Sequence, residues 1–229
     1  MSALVLALLL GGAPASPAAA LNTEGYRLYQ AQKYAEAIET FRKAIAADGN
    51  HALSHYNLAA TLGLMRKQNR VCEFDAYQST VLDELEQAVK LDEGRRKRAQ
   101  KDSDFDDVKD TVRWQKLIGL DPARDADVKK LVVALGFWAP SNGALGSPAH
   151  FDFKADGTFV ADLKEMGEGG EIEPVQLTGT FTVTGRKVTL KLAAPRQGKK
   201  TLTGKFGVDG ALELEGFDRL TDLRSECDA

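Results

Sequence analysis

A spacing of 34 residues recurs near the start of this 229-residue chain and restricts what its first half can become. Leu21, Gly25 and Leu28 return as His55, Ala59 and Leu62, each 34 positions on. The other half of the unit returns at a longer offset. Ala37, Phe41, Ala44, Ile45 and Asp48 become Val81, Leu85, Ala88, Val89 and Asp92, each 44 positions on. The period is therefore 34, with 10 residues inserted between Leu62 and Val81. The inserted stretch includes RKQNRVCEFDAYQ, which reads as a loop or a short extra helix. Such a period marks stacked helical units, none of which can bury its apolar face alone.

The run YAEAIETFRKAIAAD, with Gly25 ahead of it, resembles a tetratricopeptide (TPR) repeat. That motif places a small residue where two helices cross and A-x-x-x-F on the second helix. Ala37 and Phe41 match, and Gly25 and Ala59 hold the crossing position. Small residues let helix axes approach, and a large side chain fills the gap beside them. The family's usual Leu is Glu24 in the first unit and Leu58 in the second, and its closing Pro is replaced by Gly49 and Glu93. The likeness covers about residues 21 to 93. It implies a concave groove, made of the first helix of each pair, that holds a protein or peptide. Asn22, Tyr26, Tyr29, Tyr56 and Asn57 would face it. Asn can bond a peptide backbone, and Tyr offers area with a polar tip. Tyr26 and Tyr56 serve equally well as packing between helices, so both readings stand.

A further helical stretch runs from Arg95 to Leu120, with Phe105, Val108, Val112 and Leu117 at helical spacing. It is expected to cap the array, whose last apolar face would otherwise be open. The basic run Arg95 to Arg98 reads as a solvated helix face neutralised by the nearby DSDFDD.

Beyond Pro122 the pattern changes. A short helix over Asp125 to Ala134 puts Val128, Leu131, Val132 and Leu135 on one side. After Gly136 the period becomes two. Val175, Leu177, Phe181 and Val183 alternate with Thr178, Thr180, Thr182 and Thr184. Val188, Leu190 and Leu192, the pair Phe151/Phe153 and the pair Leu212/Leu214 continue the pattern. Turn signals separate the runs: Asp156-Gly157, Gly169-Gly170, Gly185-Arg186 and Asp209-Gly210. The expected product is an antiparallel meander of six to eight strands, closed into a small barrel or folded as a two-sheet sandwich. Gly136-Phe137-Trp138 resembles the G-x-W that opens a lipocalin barrel, a likeness that implies Trp138 plugging one end. A barrel of that kind could carry a small apolar ligand against Phe153, Phe159, Phe181 and Leu190. The fold class is thus α+β in two domains: a TPR-like helical array over 21–121, a connecting helix over 122–135 and an antiparallel β domain over 136–229.

The first 20 residues carry no charge, an apolar run from Ala3 to Leu10, and then small residues. They read as an export signal with Ala18 and Ala20 in the A-x-A pattern and cleavage before Leu21. The mature chain would lie in the periplasm, in the cell envelope or outside the cell, without a membrane span. In an oxidising compartment Cys72 and Cys227 would pair.

No catalytic constellation stands out. His51 and His55 share a helical face at i, i+4, but Ala-Leu-Ser between them lacks the Glu of a zinc-protease motif, and neither a metal nor another cofactor is expected. No serine lies in a G-x-S-x-G elbow, and Gly167-Glu168-Gly169-Gly170 is too acidic to cradle phosphate. A net charge of −3 speaks against a nucleic-acid partner. The composite expectation is a non-enzymatic binding or scaffold protein, with a small-ligand carrier as the alternative.

Overall fold

Ser16 opens the first helix in a computed structural model that describes residues 16–139, 149–166, 170–223 and 226. Its hydroxyl accepts from the Ala19 N–H at 3.2 Å, and Pro17, which has no N–H to leave unpaired, begins α1 (Pro17–Gln30). The boundary expected after Ala20 therefore falls inside a helix. Pro17–Ala20 form its first turn, and Ala18 is buried. The remainder of the expected leader, residues 1–15, lies outside the described residues.

α1 pairs with α2 (Tyr34–Ala47), and α3 (Ala52–Lys67) pairs with α5 (Gln78–Leu91). The insertion extends α3 and adds the one-turn α4 (Val71–Phe74), which ends in left-handed Asp75. Phe41, Leu62, Leu82 and Leu85 are fully buried in the shared core. Gly25 explains the first crossing. A Cβ there would lie 2.6 Å from Phe41 Cε1, so only glycine lets α1 settle onto the ring.

The stretch expected to cap the array does so in three pieces: α6 (Gly94–Lys101), a 3₁₀ turn (Ser103–Val108) and α7 (Val112–Leu117). Side chains make the breaks, with Asp102 accepting from Asp104 N and Thr111 Oγ1 accepting from Trp114 N. Phe105, Val108 and Trp114 are buried in the helical core, the Phe105 ring meeting Tyr56 edge-on at 5.6 Å. Arg113 pins α7 to α5 through Asp83 and Glu86 at 2.7 and 2.8 Å.

The second half is one antiparallel sheet in simple chain order. Its strands are β1 (Phe137–Trp138), β2 (His150–Phe153), β3 (Thr158–Met166), β4 (Ile172–Thr184), β5 (Lys187–Arg196), β6 (Lys199–Phe206) and β7 (Leu212–Leu214). Leu220 then bridges back to Leu212, and Thr221 bridges to Trp138. Thr221 donates to Trp138 O at 3.0 Å and accepts from Trp138 N at 2.7 Å. Hydrogen bonding thus nearly completes a ring, and a single curled sheet replaces the two-sheet alternative.

The interior is aromatic. Phe137, Phe151, Phe153, Phe159 and Phe206 are all buried there with Leu190 and Leu212. The short helix is α8 (Val128–Ala134) behind a 3₁₀ turn, and Val128, Leu131, Val132 and Leu135 join this same core. Expected as a connector, it packs as part of the β unit. The last two residues of the G-x-W segment form β1. Phe137 points inward, while the Trp138 ring lies flat on His150 with centroids 3.9 Å apart.

The halves touch. Gly136 N donates to Asp110 O, Val112 N donates to Asp222, and Arg186 reaches the carbonyls of Pro122 and Ala123 at 2.9 Å. Among the described residues no helix is long and apolar enough to cross a membrane.

Candidate functional site

The five side chains assigned to the helical groove come together. Tyr26, Tyr29, Tyr56 and Asn57 line a hollow of about 240 Å³, completed by Phe41, Ala60 and Thr61 and, from the cap, by Arg98, Asp102 and Asp104. An adjoining hollow of about 350 Å³ is lined by Asn22, Thr23, Tyr26, Leu53, Asn57 and Arg98. Shared Tyr26, Asn57 and Arg98 make the two one continuous cleft between α1, α3 and α6. Helical spacing explains the convergence, since Asn22, Tyr26 and Tyr29 lie at i, i+4 and i+7, on one side of α1.

Within the cleft the residues divide into floor and rim. Asn57 Nδ2 donates to Asn22 Oδ1 at 2.9 Å, and both side chains are buried. Tyr56 is 1% exposed and donates its hydroxyl to Asp102 at 2.7 Å. Tyr29, half-buried, donates to Asp104 at 2.8 Å. These four are floor residues, with both tyrosine hydroxyls and the Asn22–Asn57 amide contact already engaged. The two readings left open for Tyr26 and Tyr56 therefore separate. Tyr56 packs between helices, whereas Tyr26 is 44% exposed and lies on Tyr29 with centroids 6.1 Å apart.

The electrostatics follow from burial. Losing water pushes both tyrosine hydroxyls, Tyr29 and Tyr56, far above the ordinary phenol range, and the facing carboxylates add to the effect. Burial likewise raises Asp104, against the Tyr29 hydrogen bond that pulls it down. The floor tyrosines are neutral hydrogen-bond donors, not bases. The accessible polarity of the cleft sits on the exposed guanidinium of Arg98, whose Cζ lies 5.0 Å from the Tyr56 ring centre.

Sequence reasoning missed the cap's contribution. Arg98 stood within a basic run and Asp102 and Asp104 within an acidic one, and both runs read as solvated surface. Arg95 and Arg96 do pair locally, with Asp92 and Glu93. The acidic run, however, turns two carboxylates inward to the tyrosines. One signal was available: Asp102 and Asp104 closely precede the apolar Phe105 and Val108, so this segment had to lie against the array.

The residues of the alternative site pack on one another. Phe153, Phe159, Phe181 and Leu190 are all buried in the sheet's interior. Phe153 packs against Phe159 at 6.0 Å and Phe181 at 4.9 Å between centroids. His55 is engaged at both ring nitrogens, by Glu84 at 2.6 Å and Gly49 O at 3.0 Å, and His51 contacts Ser54 at 2.7 Å. His55 thus ties α3 to α5, while His51 stays local to the start of α3. Cys72 sits in α4, and Cys227 lies outside the described residues.

The profile of the TPR repeat family matches residues 25–65, spanning the C-terminal part of α1, all of α2 and most of α3. Repeats of this family generally mediate contacts between proteins, which supports a binding or scaffold role. No curated protein and no solved structure matches the chain at a significant level.

Proposed function

We propose that this chain is an exported, non-enzymatic scaffold that holds a protein or peptide partner in the cleft between α1, α3 and α6. The observation that carries this reading is the cleft's construction. Exposed Tyr26 and Arg98 stand over a floor held in place by the Tyr29–Asp104, Tyr56–Asp102 and Asn57–Asn22 hydrogen bonds, so a partner meets a pre-ordered surface at little cost in ordering. Tyr and Arg are also the residue types that dominate protein interfaces. Installing a photocrosslinker at Thr23 in the native host should capture a partner. Tyr26→Ala with Arg98→Ala should cut that capture about tenfold while the helical signal is unchanged. Capture undiminished in the folded double variant would remove the cleft from the proposal.

Export is the second part of the reading. The apolar run Ala3 to Leu10 is followed by Ala13-Pro14-Ala15, a further A-x-A pattern placed immediately before Ser16. Cleavage there leaves the α1 cap whole, whereas cleavage before Leu21 would remove a helical turn and the buried Ala18. An oxidising destination would pair Cys72 with Cys227. Support comes from Glu226, one residue before Cys227, which bonds Arg66 and accepts from Gln78 N at 2.8 Å, holding the tail near α4.

A further inference from the structure

From Pro174 to Val208 the chain carries seven Lys or Arg and no acidic residue, although the protein's net charge is −3. This stretch is β4, the β4–β5 turn, β5 and β6, so the charge gathers on one wall of the sheet. Three of the seven cations have partners. Arg186 pairs with Asp125, Lys199 pairs with Glu215, and Arg196 lies over the Phe217 ring. The other four, Lys187, Lys191, Lys200 and Lys205, are exposed, and among the described residues no carboxylate lies within ion-pairing distance of Lys187, Lys191 and Lys205 on the outer side.

The strand register puts these lysines in an ordered array. Lys187 stands directly opposite Lys205, and Thr182, Thr189 and Thr203 form the next outward row across β4, β5 and β6. Lys191 follows beyond that row, about 13 Å along β5 from Lys187 at the rise of an extended strand. Two like charges facing each other across a strand pair are destabilising. Glu213 stands opposite Lys205 on its other side, on β7, and offsets part of that repulsion, while the lysine pair adjoins a row of hydroxyls with no apolar or aromatic side chain among these six positions.

We infer that this wall binds an anionic polysaccharide, the lysines meeting its carboxylate, sulfate or phosphate groups and the threonine row its hydroxyls. The composition of the face selects this partner. A single-stranded nucleic acid calls for aromatic stacking platforms, and a membrane surface calls for apolar side chains to insert. Neither is present in the array. Threonine hydroxyls, which both donate and accept, match the hydroxyls of sugars. The inference does not rest on the helical cleft, which lies in the other half of the chain.

The test uses the full chain and heparin as the anionic glycan probe, with dextran, single-stranded DNA and anionic phosphatidylglycerol vesicles in parallel. Binding to heparin should be measurable at low salt, weaken steeply as salt rises, and be absent for dextran. The triple variant Lys187→Gln, Lys191→Gln, Lys205→Gln should lose at least tenfold in affinity and flatten the salt dependence by about two to three ions released, by analogy with other polyanions. Thr182→Val with Thr203→Val should weaken heparin binding several-fold at constant charge. The circular dichroism of each variant should match the parent. Absence of heparin binding, parent-like affinity in the folded triple variant, or tighter binding to DNA or vesicles than to heparin would overturn the inference.

Discussion

Gly25 and Asp104 show how much a single position decides. A methyl group at Gly25 would meet the Phe41 ring at 2.6 and 2.7 Å. Gly25→Ala should therefore lower stability by about 1–3 kcal/mol through overpacking. Phe41→Leu in the same chain should recover part of the loss, as read by urea unfolding. Asp104 makes a different prediction. Burial raises its carboxyl above the ordinary range in the folded chain, so the folded state holds that proton more tightly than the unfolded state. The sign then follows from proton linkage: acid favours folding through this group, and that contribution is lost as pH rises through the raised value. Asp104→Asn keeps an acceptor for Tyr29 and removes the charge. It should flatten the pH dependence of stability above the ordinary carboxylate range and leave neutral-pH stability equal or higher, measured by denaturant titration across that range. Tyr56 marks the limit of reading at this scale. Its position on α3 fitted either a groove or a packing role, and the Asp102 acceptor that decides the matter lies 46 residues away.

At the scale of elements, periodic patterns were legible and caps were not. The 34-residue repeat located all four long helices, because spacing alone reports which faces must be buried. The alternation in β4 and β5 located the interior by the same logic: Phe181, Val188, Leu190 and Leu192 are buried as expected. The β5–β6 turn at Gln197-Gly198, both left-handed, went unread because Gln is not a usual turn residue. α1 begins four residues ahead of the 21–121 bound read for the array, for a related reason. Ser16-Pro17 is a cap followed by a proline at the first helical position, yet small residues before Leu21 looked like a processing site. If the exported chain is cut where the helix begins, intact-mass analysis of the mature protein should give Ser16 as its first residue, not Leu21. Ser16→Ala in that form should lower stability by about 1 kcal/mol.

The whole molecule depends on its last residues. Arg66 is buried in α3 and bonds both Asp107 and Glu226, so the tail supplies part of its neutralisation. Glu226→Ala should destabilise the chain by about 3 kcal/mol, the usual range for stripping a partner from a buried charge. If Cys72 and Cys227 pair beside it, denatured unreduced protein should show no reactive thiol, and replacing both by Ser should cost about 3–5 kcal/mol. Two reactive thiols would exclude the bond. These couplings could not be read from local patterns, since Arg66 and Glu226 stand 160 residues apart. The bridge from Thr221 to Trp138 has a consequence for biosynthesis. Both exposed rims of the curled sheet stay open until Leu220 and Thr221 have been made, whereas the helical hairpins can assemble as they emerge. The nascent protein thus spends the interval with one finished half and one unfinished half, and that interval is when a chaperone would be of most use to it.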